Sequence, residues 1–339
     1  MLKNKNYNTL FQYWLISLIV LVSCIIIVGG LTRLTDSGLS ITEWELLRGI
    51  LPPINSQDWN SYFESYKKIP QYELLNSNMT LGEFKYIFLW EYAHRLLARF
   101  IGLFFLVPFV FFIFLNILEK YLVIRLFNIF ILILIQGTVG WYMVKSGLTE
   151  NTTVSHYRLA VHLIFAFAIL SSLTWILLNY FKNSKKFFFN LSTNYISLKI
   201  LLVLIFIQII LGAFVSGLDA GKVYQTWPMM NGNYFPDDAL FNDIFNFDQA
   251  SIVQFYHRNI AYLIFLLTVY LAFNIFKKKD IKLYNSFFLF FLVIVLQILL
   301  GITVLITGAK IYYASLHQIS SIFLIILALN LYHSSIRSR

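Results

Sequence analysis

The sequence predicts an all-α integral membrane protein with eight transmembrane helices. Apolar residues make up 59% of the 339 residues and charged residues only 12%, a balance typical of chains that reside in lipid. Eight apolar runs are close to the roughly 20 residues that cross a bilayer. A helix satisfies its own backbone hydrogen bonds in lipid, so these runs predict helices rather than strands. The predicted spans are residues 11–31, 96–118, 123–143, 159–181, 197–217, 257–276, 284–307 and 313–333.

The charge and the cysteine content exclude several other classes of protein. The formal charge of +10 fits lysine and arginine on cytoplasmic connections. It does not indicate a nucleic-acid partner, because no basic stripe with interleaved aromatic residues lies on a soluble segment. The one cysteine, Cys24, lies in the first apolar run, which rules out a disulfide framework and a cysteine-ligated iron–sulfur cluster. That run lacks a small-residue cleavage site, so we expect a retained helix rather than a signal peptide.

The basic residues of the short connections predict the orientation of the helices. Connections on the side that also holds Lys3 and Lys5 carry more lysine and arginine than those on the opposite side. Both termini are therefore expected in the cytoplasm. The two long polar loops, at about 32–93 and 218–255, then lie on the outer side of the membrane.

The order of spans and loops indicates a tandem duplication into an amino-terminal half, residues 1–186, and a carboxy-terminal half, residues 187–339. Each half has four predicted spans, with its long outer loop after the first of them. The segment Glu91–Arg95 (EYAHR) in the first half corresponds to Gln254–Arg258 (QFYHR) in the second. We therefore predict two pseudo-symmetric four-helix bundles.

Four histidines occupy matched positions near the outer ends of the even-numbered spans. They are His94, His162, His257 and His317. Two imidazoles that face each other across a bundle can take both axial positions of a heme iron. We expect His94 to pair with His162, and His257 with His317, which gives one heme-sized site per half. A zinc site is disfavoured because no carboxylate or thiol cluster completes a tetrahedral set, and His156, which has no counterpart near His317, is a weaker candidate ligand.

A single carboxylate breaks the symmetry between the two halves. Glu91 precedes His94 by three residues, about one helical turn, whereas Gln254 holds the matching position before His257. A carboxylate can accept protons or stabilise developing positive charge, and a glutamine cannot exchange protons in that way. This difference predicts chemistry in the amino-terminal site and a permanent electron-transfer heme in the carboxy-terminal site. The alternative is that Glu91 merely pairs with Arg95, four residues further on.

Two further sets of residues accompany the histidines. Arg95 and Arg258 directly follow His94 and His257 and could pair with heme propionates or anchor the helix at the interface, and both readings stay open. Three spans carry a glutamine four residues before a glycine, on one helix face: Gln136 and Gly140, Gln208 and Gly212, Gln297 and Gly301. We expect these glutamines to form interhelical hydrogen bonds rather than to contact a cofactor directly.

Taken together, motifs along nearly the whole chain resemble those of the heme A synthase family. The motifs are Gly29–Thr35 (GGLTRLT), Ser37–Ile41 (SGLSI), Trp44, Pro52-Pro53, Glu91–Arg95, Tyr157–Leu159 with His162-Leu163, Tyr256–Arg258 and His317-Gln318. The resemblance implies eight transmembrane helices in two four-helix halves. It also implies oxidation of a methyl group of heme O to the formyl group of heme A, by successive hydroxylation and loss of water, for terminal oxidase (cytochrome c oxidase) assembly.

The resemblance further assigns roles to the site residues. It implies that His257 and His317 bind the iron of a low-spin heme b cofactor. It implies that His94 and His162 bracket the substrate heme, with Glu91 as the catalytic carboxylate. The absence of a cysteine pair from the first outer loop makes the chain similar to the cysteine-free branch of alphaproteobacteria and mitochondria.

The same resemblance gives the expected surroundings and partners. We expect a bacterial inner-membrane protein with its heme sites toward the outer face and with heme O entering from the lipid. A heme O synthase is the expected supplier, and the sequence leaves open both the membrane electron-transfer partner and the formation of a homo-oligomer. Two other functions are retained as alternatives: a diheme b-type cytochrome that only transfers electrons, and a heme transporter or chaperone.

Overall fold

A computed structural model describes the chain at residues 2–3, 5–44, 48–149, 152–188, 195–240 and 244–336. Within these ranges the chain is helical and forms no β-strand, only two isolated bridges. The helices are α1 (Asn8–Leu34), α2 (Ser56–Tyr66), α3 (Pro70–Leu75), α4 (Leu81–Phe114), α5 (Lys120–Gly147), α6 (His156–Phe181), α7 (Ile196–Gly217), α8 (Ala250–Lys277), α9 (Ile281–Ile306) and α10 (Ile311–Ser335).

Eight of these helices are long and apolar enough to cross a membrane, which confirms the predicted fold class. They are α1 and α4 to α10. The chain is therefore a multi-pass membrane protein. Successive helices cross in opposite directions, so the connections after α1 and α7 lie on one face, which we name the loop face. The described parts of these two long loops are residues 35–44, 48–80, 218–240 and 244–249.

Two helices begin well before their predicted apolar spans. The second span is predicted from residue 96 and the sixth from residue 257, whereas α4 begins at Leu81 and α8 at Ala250. Thr80 and Glu83 form a capping box: the Thr80 hydroxyl accepts from the Glu83 N–H at 3.3 Å, and the Glu83 carboxylate accepts from the Thr80 N–H at 2.8 Å. With 34 residues, α4 is about 50 Å long, so it projects beyond the roughly 30 Å hydrocarbon layer. His94 consequently lies well inside this helix instead of at its start.

The first long loop is folded, although the sequence analysis predicted no helix within it. Its helix α2 packs on the projecting part of α4 through buried aromatic rings, and Tyr72 of α3 packs on α2. These rings include Phe63, Tyr66, Phe84 and Phe88, with Leu39 and Ile41 in the same cluster. The Tyr66 hydroxyl donates to Gln71 and accepts from Asn76, and burial raises the pKa of Tyr66. These contacts hold the loop against the amino-terminal turns of α4.

The two predicted halves meet along α1, α6, α7 and α10, which pack on one another. One close contact involves Gly217 of α7, where an added Cβ would lie 2.5 Å from the Cβ of His156 on α6. Gly30 of α1 faces Gln318 of α10, whose amide donates to the Ile26 carbonyl at 2.8 Å. Small residues allow such close helix contacts in membranes. The division into residues 1–186 and 187–339 stays a prediction.

Candidate functional site

Two pairs of histidine rings lie near the loop face, one pair in each predicted half. Within each pair, the two rings face each other. The ring centres of His94 on α4 and His162 on α6 are 6.3 Å apart, with 71° between the ring planes. Those of His257 on α8 and His317 on α10 are 6.4 Å apart, with 73° between the planes. The structure thus brings together the same two pairs that the sequence predicts, and it gives them nearly the same geometry.

This spacing fits two axial ligands on one iron. A metal–imidazole nitrogen bond is about 2 Å long and the ring centre lies about 1 Å behind the nitrogen, so two rings on one ion have centres about 6 Å apart. In three of the rings the Nδ1 atom is buried and has no hydrogen-bond partner: His162, His257 and His317. Buried, unpaired nitrogens are costly unless a ligand from outside the protein is bound nearby.

The number of protein ligands also fits a heme. In the described part of the chain, no three or more histidine, cysteine, aspartate or glutamate side chains are grouped so that they could hold a bare metal ion. A heme needs only two axial ligands from the protein because the porphyrin supplies the equatorial ones. Each histidine pair is therefore suited to a heme and lacks the further ligands of a tetrahedral site.

A glycine on an adjacent helix faces each of the four rings. An added Cβ would lie 3.0 Å from His94 at Gly29, 2.9 Å from His162 at Gly140, 3.4 Å from His257 at Gly212 and 3.1 Å from His317 at Gly301. These glycines lie on α1, α5, α7 and α9. The three later glycines are those that share a helix face with a glutamine, and each leaves room for a histidine ring.

Three of the rings also contact a glutamine one turn away from the glycine. The amide nitrogen of Gln136 lies 3.2 Å from Nε2 of His162. The amides of Gln208 and Gln297 each lie near the ring of their histidine, at 3.3 and 3.4 Å, and also donate to its backbone carbonyl, at 2.9 and 3.1 Å. The expected interhelical hydrogen bonds are confirmed, and their partners are the histidines themselves.

Glu91 is buried, with 2% of its surface exposed, and both oxygens of its carboxylate accept hydrogen bonds. It accepts hydrogen bonds from the Ser40 hydroxyl at 2.7 Å, the Ile41 N–H at 2.9 Å and the Arg95 guanidinium at 2.6 Å. The ion pair with Arg95 that the sequence offered as an alternative does form. The structure adds Ser40 and Ile41 of the first loop, which the sequence analysis did not connect with Glu91.

The glutamine at the matching position in the other half is a hydrogen-bond donor to its loop, whereas Glu91 is an acceptor. Gln254 is equally buried, and its amide donates to the Tyr224 carbonyl at 3.0 Å. Tyr224 is fixed in the second loop because its hydroxyl donates to Asp238 at 2.7 Å, and burial raises the pKa of that hydroxyl. Glu91 therefore accepts hydrogen bonds from its loop, whereas Gln254 donates one to its loop.

Both arginines that follow the histidines are held by loop carbonyls. Arg95 donates to the Ile41 carbonyl at 3.0 Å and lies 5.3 Å from the Trp44 ring. Arg258 donates to the Tyr224 carbonyl at 3.0 Å, and its Nε is buried without a partner. Each guanidinium therefore fastens a loop over a histidine pair, and contact with a heme propionate stays a prediction.

His156 has a different environment from the paired histidines. Its ring packs on Tyr157 and Phe214, and its Nε2 lies 3.4 Å from an Asp248 carboxylate oxygen. It sits against Gly217 at the contact of α6 with α7. These contacts are those of a residue that packs between helices. They agree with the prediction that His156 is a weaker candidate ligand than the paired histidines.

The glycine that faces His162 offers a test of the ring geometry. Gly140→Ala is expected to weaken porphyrin binding between His94 and His162 about 10-fold or more, because the added methyl group displaces the His162 ring. Gly137→Ala, on the same helix with nothing within 4 Å of its added Cβ, is the matched control. Binding is measured by titrating hemin into purified protein whose other site is already filled, with absorbance as the readout. Equal affinities for the two variants would contradict the assignment.

Comparison with known proteins places this geometry in a family. A family model described as a cytochrome oxidase assembly protein matches residues 12–329. The chain is 50% identical over 332 residues to a heme A synthase of Pelagibacter ubique, which covers 95% of each chain. It is 42% identical to that of Bradyrhizobium diazoefficiens, covering 94% of this chain and 89% of the other. It is 40% identical to that of Rickettsia bellii, covering 92% and 94%.

These likenesses extend over nearly the full length, so they include all four paired histidines and Glu91 within the matched residues. With one family model over most of the sequence and relatives at 40–50% identity, the family is clear. The chain belongs to the COX15-CtaA family of cytochrome oxidase assembly proteins.

Proposed function

We propose that this protein is a heme A synthase, which oxidises a methyl group of heme O to the formyl group of heme A. The observation that carries the proposal is the facing pair of imidazoles in each half, at a spacing that suits an axially ligated iron. Relatives that match almost the whole chain carry that name. The product would serve the assembly of cytochrome c oxidase.

The two histidine pairs have different tasks in this proposal. His257 and His317 hold a resident heme b, and His94 and His162 hold the substrate heme O. When bound, heme b supplies one-electron transfer. The division rests on a chemical difference between the halves: Glu91 occupies the position that Gln254 has in the other half.

Glu91 is the proposed catalytic carboxylate. Oxidation of a methyl group to a formyl group removes hydrogens from carbon, and the protons must leave a site with largely apolar walls. Glu91 is the only buried carboxylate in the described part of the chain, and it lies one turn of α4 from His94. Arg95 and the loop groups that bond to it hold it in one position, where it can receive a proton.

The fold and the charge distribution support the proposed surroundings. The protein lies in a bacterial inner membrane with both termini in the cytoplasm, so the loop face and both heme sites are directed outward. Heme O enters laterally from the bilayer, supplied by a heme O synthase. A heme b held by His257 and His317 would supply electron transfer to a partner in the membrane.

A diheme electron-transfer cytochrome is the second candidate. The nearly equal ring geometry of the two pairs supports it, because a pure electron carrier needs no chemical difference between its hemes. A heme transporter would also bind porphyrin without turnover. Formation of a new pigment separates both from the proposed synthase.

The test is made in cells that contain heme O but form no heme A. The chain is expressed there, and the extracted pigments are separated by chromatography. We expect heme A to appear with the intact chain and not with an empty vector. If the membranes contain the inserted protein but only heme B and heme O, the proposal is wrong.

A further inference from the structure

The four paired histidines are not supported in the same way by the neighbouring helices. Each ring faces a glycine, at position 29, 140, 212 or 301. Four residues before the glycine, on the same helix face, three of the helices carry a glutamine that contacts the histidine. On α1 the equivalent position is Ile25. His94 is thus the one ligand candidate whose helix neighbour has an apolar side chain at this place.

The apolar side chain changes what holds the ring. Ile25 is partly buried against the apolar core and has no polar atom with which to reach an imidazole. In the described residues, no hydrogen bond joins the His94 ring to another group. By contrast, Gln208, in the equivalent place on α7, contacts both the ring and the backbone carbonyl of His257.

A hydrogen-bonded neighbour matters because it limits the positions that a ligand histidine can adopt. Gln208 and Gln297 do this by donating to the backbone carbonyls of His257 and His317, which leaves the ring nitrogens available to a metal. Loss of such a partner commonly weakens metal binding by about 10- to 100-fold. A resident cofactor benefits from this support. A substrate heme must be released as product after every turnover, so one weakly held ligand is an advantage at that site.

We propose that Ile25 leaves His94 as an untethered ligand, so that a porphyrin between His94 and His162 exchanges readily with the bilayer. The porphyrin between His257 and His317, where a glutamine is hydrogen-bonded to the backbone carbonyl of each histidine, stays bound. Ile25 acts through His94 and is a positioning residue. The inference rests on the proposed function in assigning the substrate to the amino-terminal pair.

The experiment measures heme loss from the full-length protein. Purified chain is loaded with hemin at both sites and mixed with excess apomyoglobin, and the transfer is followed by absorbance. We expect a fast phase from the amino-terminal site, which His94→Ala removes, and a slow phase from the other site. Ile25→Gln should slow the fast phase about 10-fold or more and leave the slow phase unchanged.

Two further variants make the result specific. Ile27→Gln is the matched control, because this isoleucine is also partly buried on α1 but lies on a different face of the helix, and it should leave the fast phase unchanged. Gln208→Ile is the reverse exchange in the other half and should speed the slow phase by a similar factor. It also tests the idea if Ile25→Gln fails to fold.

The outcomes separate this inference from the function on which it rests. If His94→Ala leaves the fast phase intact, the amino-terminal heme site is wrong, and the proposed function fails with it. If His94→Ala removes that phase but Ile25→Gln releases heme as fast as the unchanged protein, only the inference is overturned. Unchanged slow release from Gln208→Ile would also overturn it.

Discussion

Glu91→Gln is expected to lower heme A formation by about 100-fold or more while the absorbance of the resident heme b is retained. Glutamine has nearly the same shape as glutamate but cannot take up a proton at neutral pH. The equivalent residue in the other half is already a glutamine, Gln254, so the fold accommodates that side chain at this position. Heme A is measured by chromatography of pigments from equal amounts of inserted protein.

The structural role of Glu91 has to be separated from its chemical role. Its substitution leaves Arg95 without its carboxylate partner, and breaking a buried ion pair costs about 3–5 kcal/mol. Ser40→Ala removes one of the hydrogen bonds to the same carboxylate but keeps the acid, so it is the matched control for the loop contact. We expect it to retain most of the activity. Full heme A formation by Glu91→Gln would contradict the catalytic assignment, and equal losses in both variants would indicate a role only in holding the loop.

His257→Ala and His317→Ala are each expected to abolish the heme b absorbance of the purified protein. Each substitution removes one of the two axial ligands and leaves its partner facing an empty coordination position. His94→Ala and His162→Ala are the matched controls, because the same change is made at a ring pair of nearly equal geometry. They should retain heme b and lose heme A formation.

The measurement is the absorbance of heme b per mole of folded protein, with size-exclusion chromatography as the check on folding. Loss of the pigment from all four variants would show that the two sites do not have separate tasks. Retention of full absorbance by both His257→Ala and His317→Ala would remove the basis for a resident heme in the carboxy-terminal half.

Local features of the sequence were enough to predict the spans and the histidine pairs. Hydropathy is a property of each run by itself, so eight helices could be found without knowledge of their packing. The repeated segments around His94 and His257 indicated two halves, and each half contains two of the four matched histidines. The early start of α4 was missed although its signal is local, since Thr80 and Glu83 form a capping box just before the helix.

Contacts between distant segments could not be predicted in the same way. Ser40 and Glu91 are 51 residues apart, and no periodicity relates a loop residue to a helix that it covers. Gly29 belongs to a motif that the sequence analysis quoted, but only the structure shows that it faces the His94 ring. The role of Ile25 depends on that contact. Only when Gly29 is known to face His94 can Ile25 be compared with the glutamines that precede the other three glycines.

Incubation of the purified protein with heme O tests the central claim most directly. The chain is loaded with heme b, supplied with heme O and an electron acceptor in lipid nanodiscs, and its extracted hemes are identified by mass spectrometry. The account predicts that heme O is consumed and that a heme with one more oxygen and two fewer hydrogens accumulates, with little product from Glu91→Gln. Recovery of unaltered heme O from folded protein that retains heme b would contradict it.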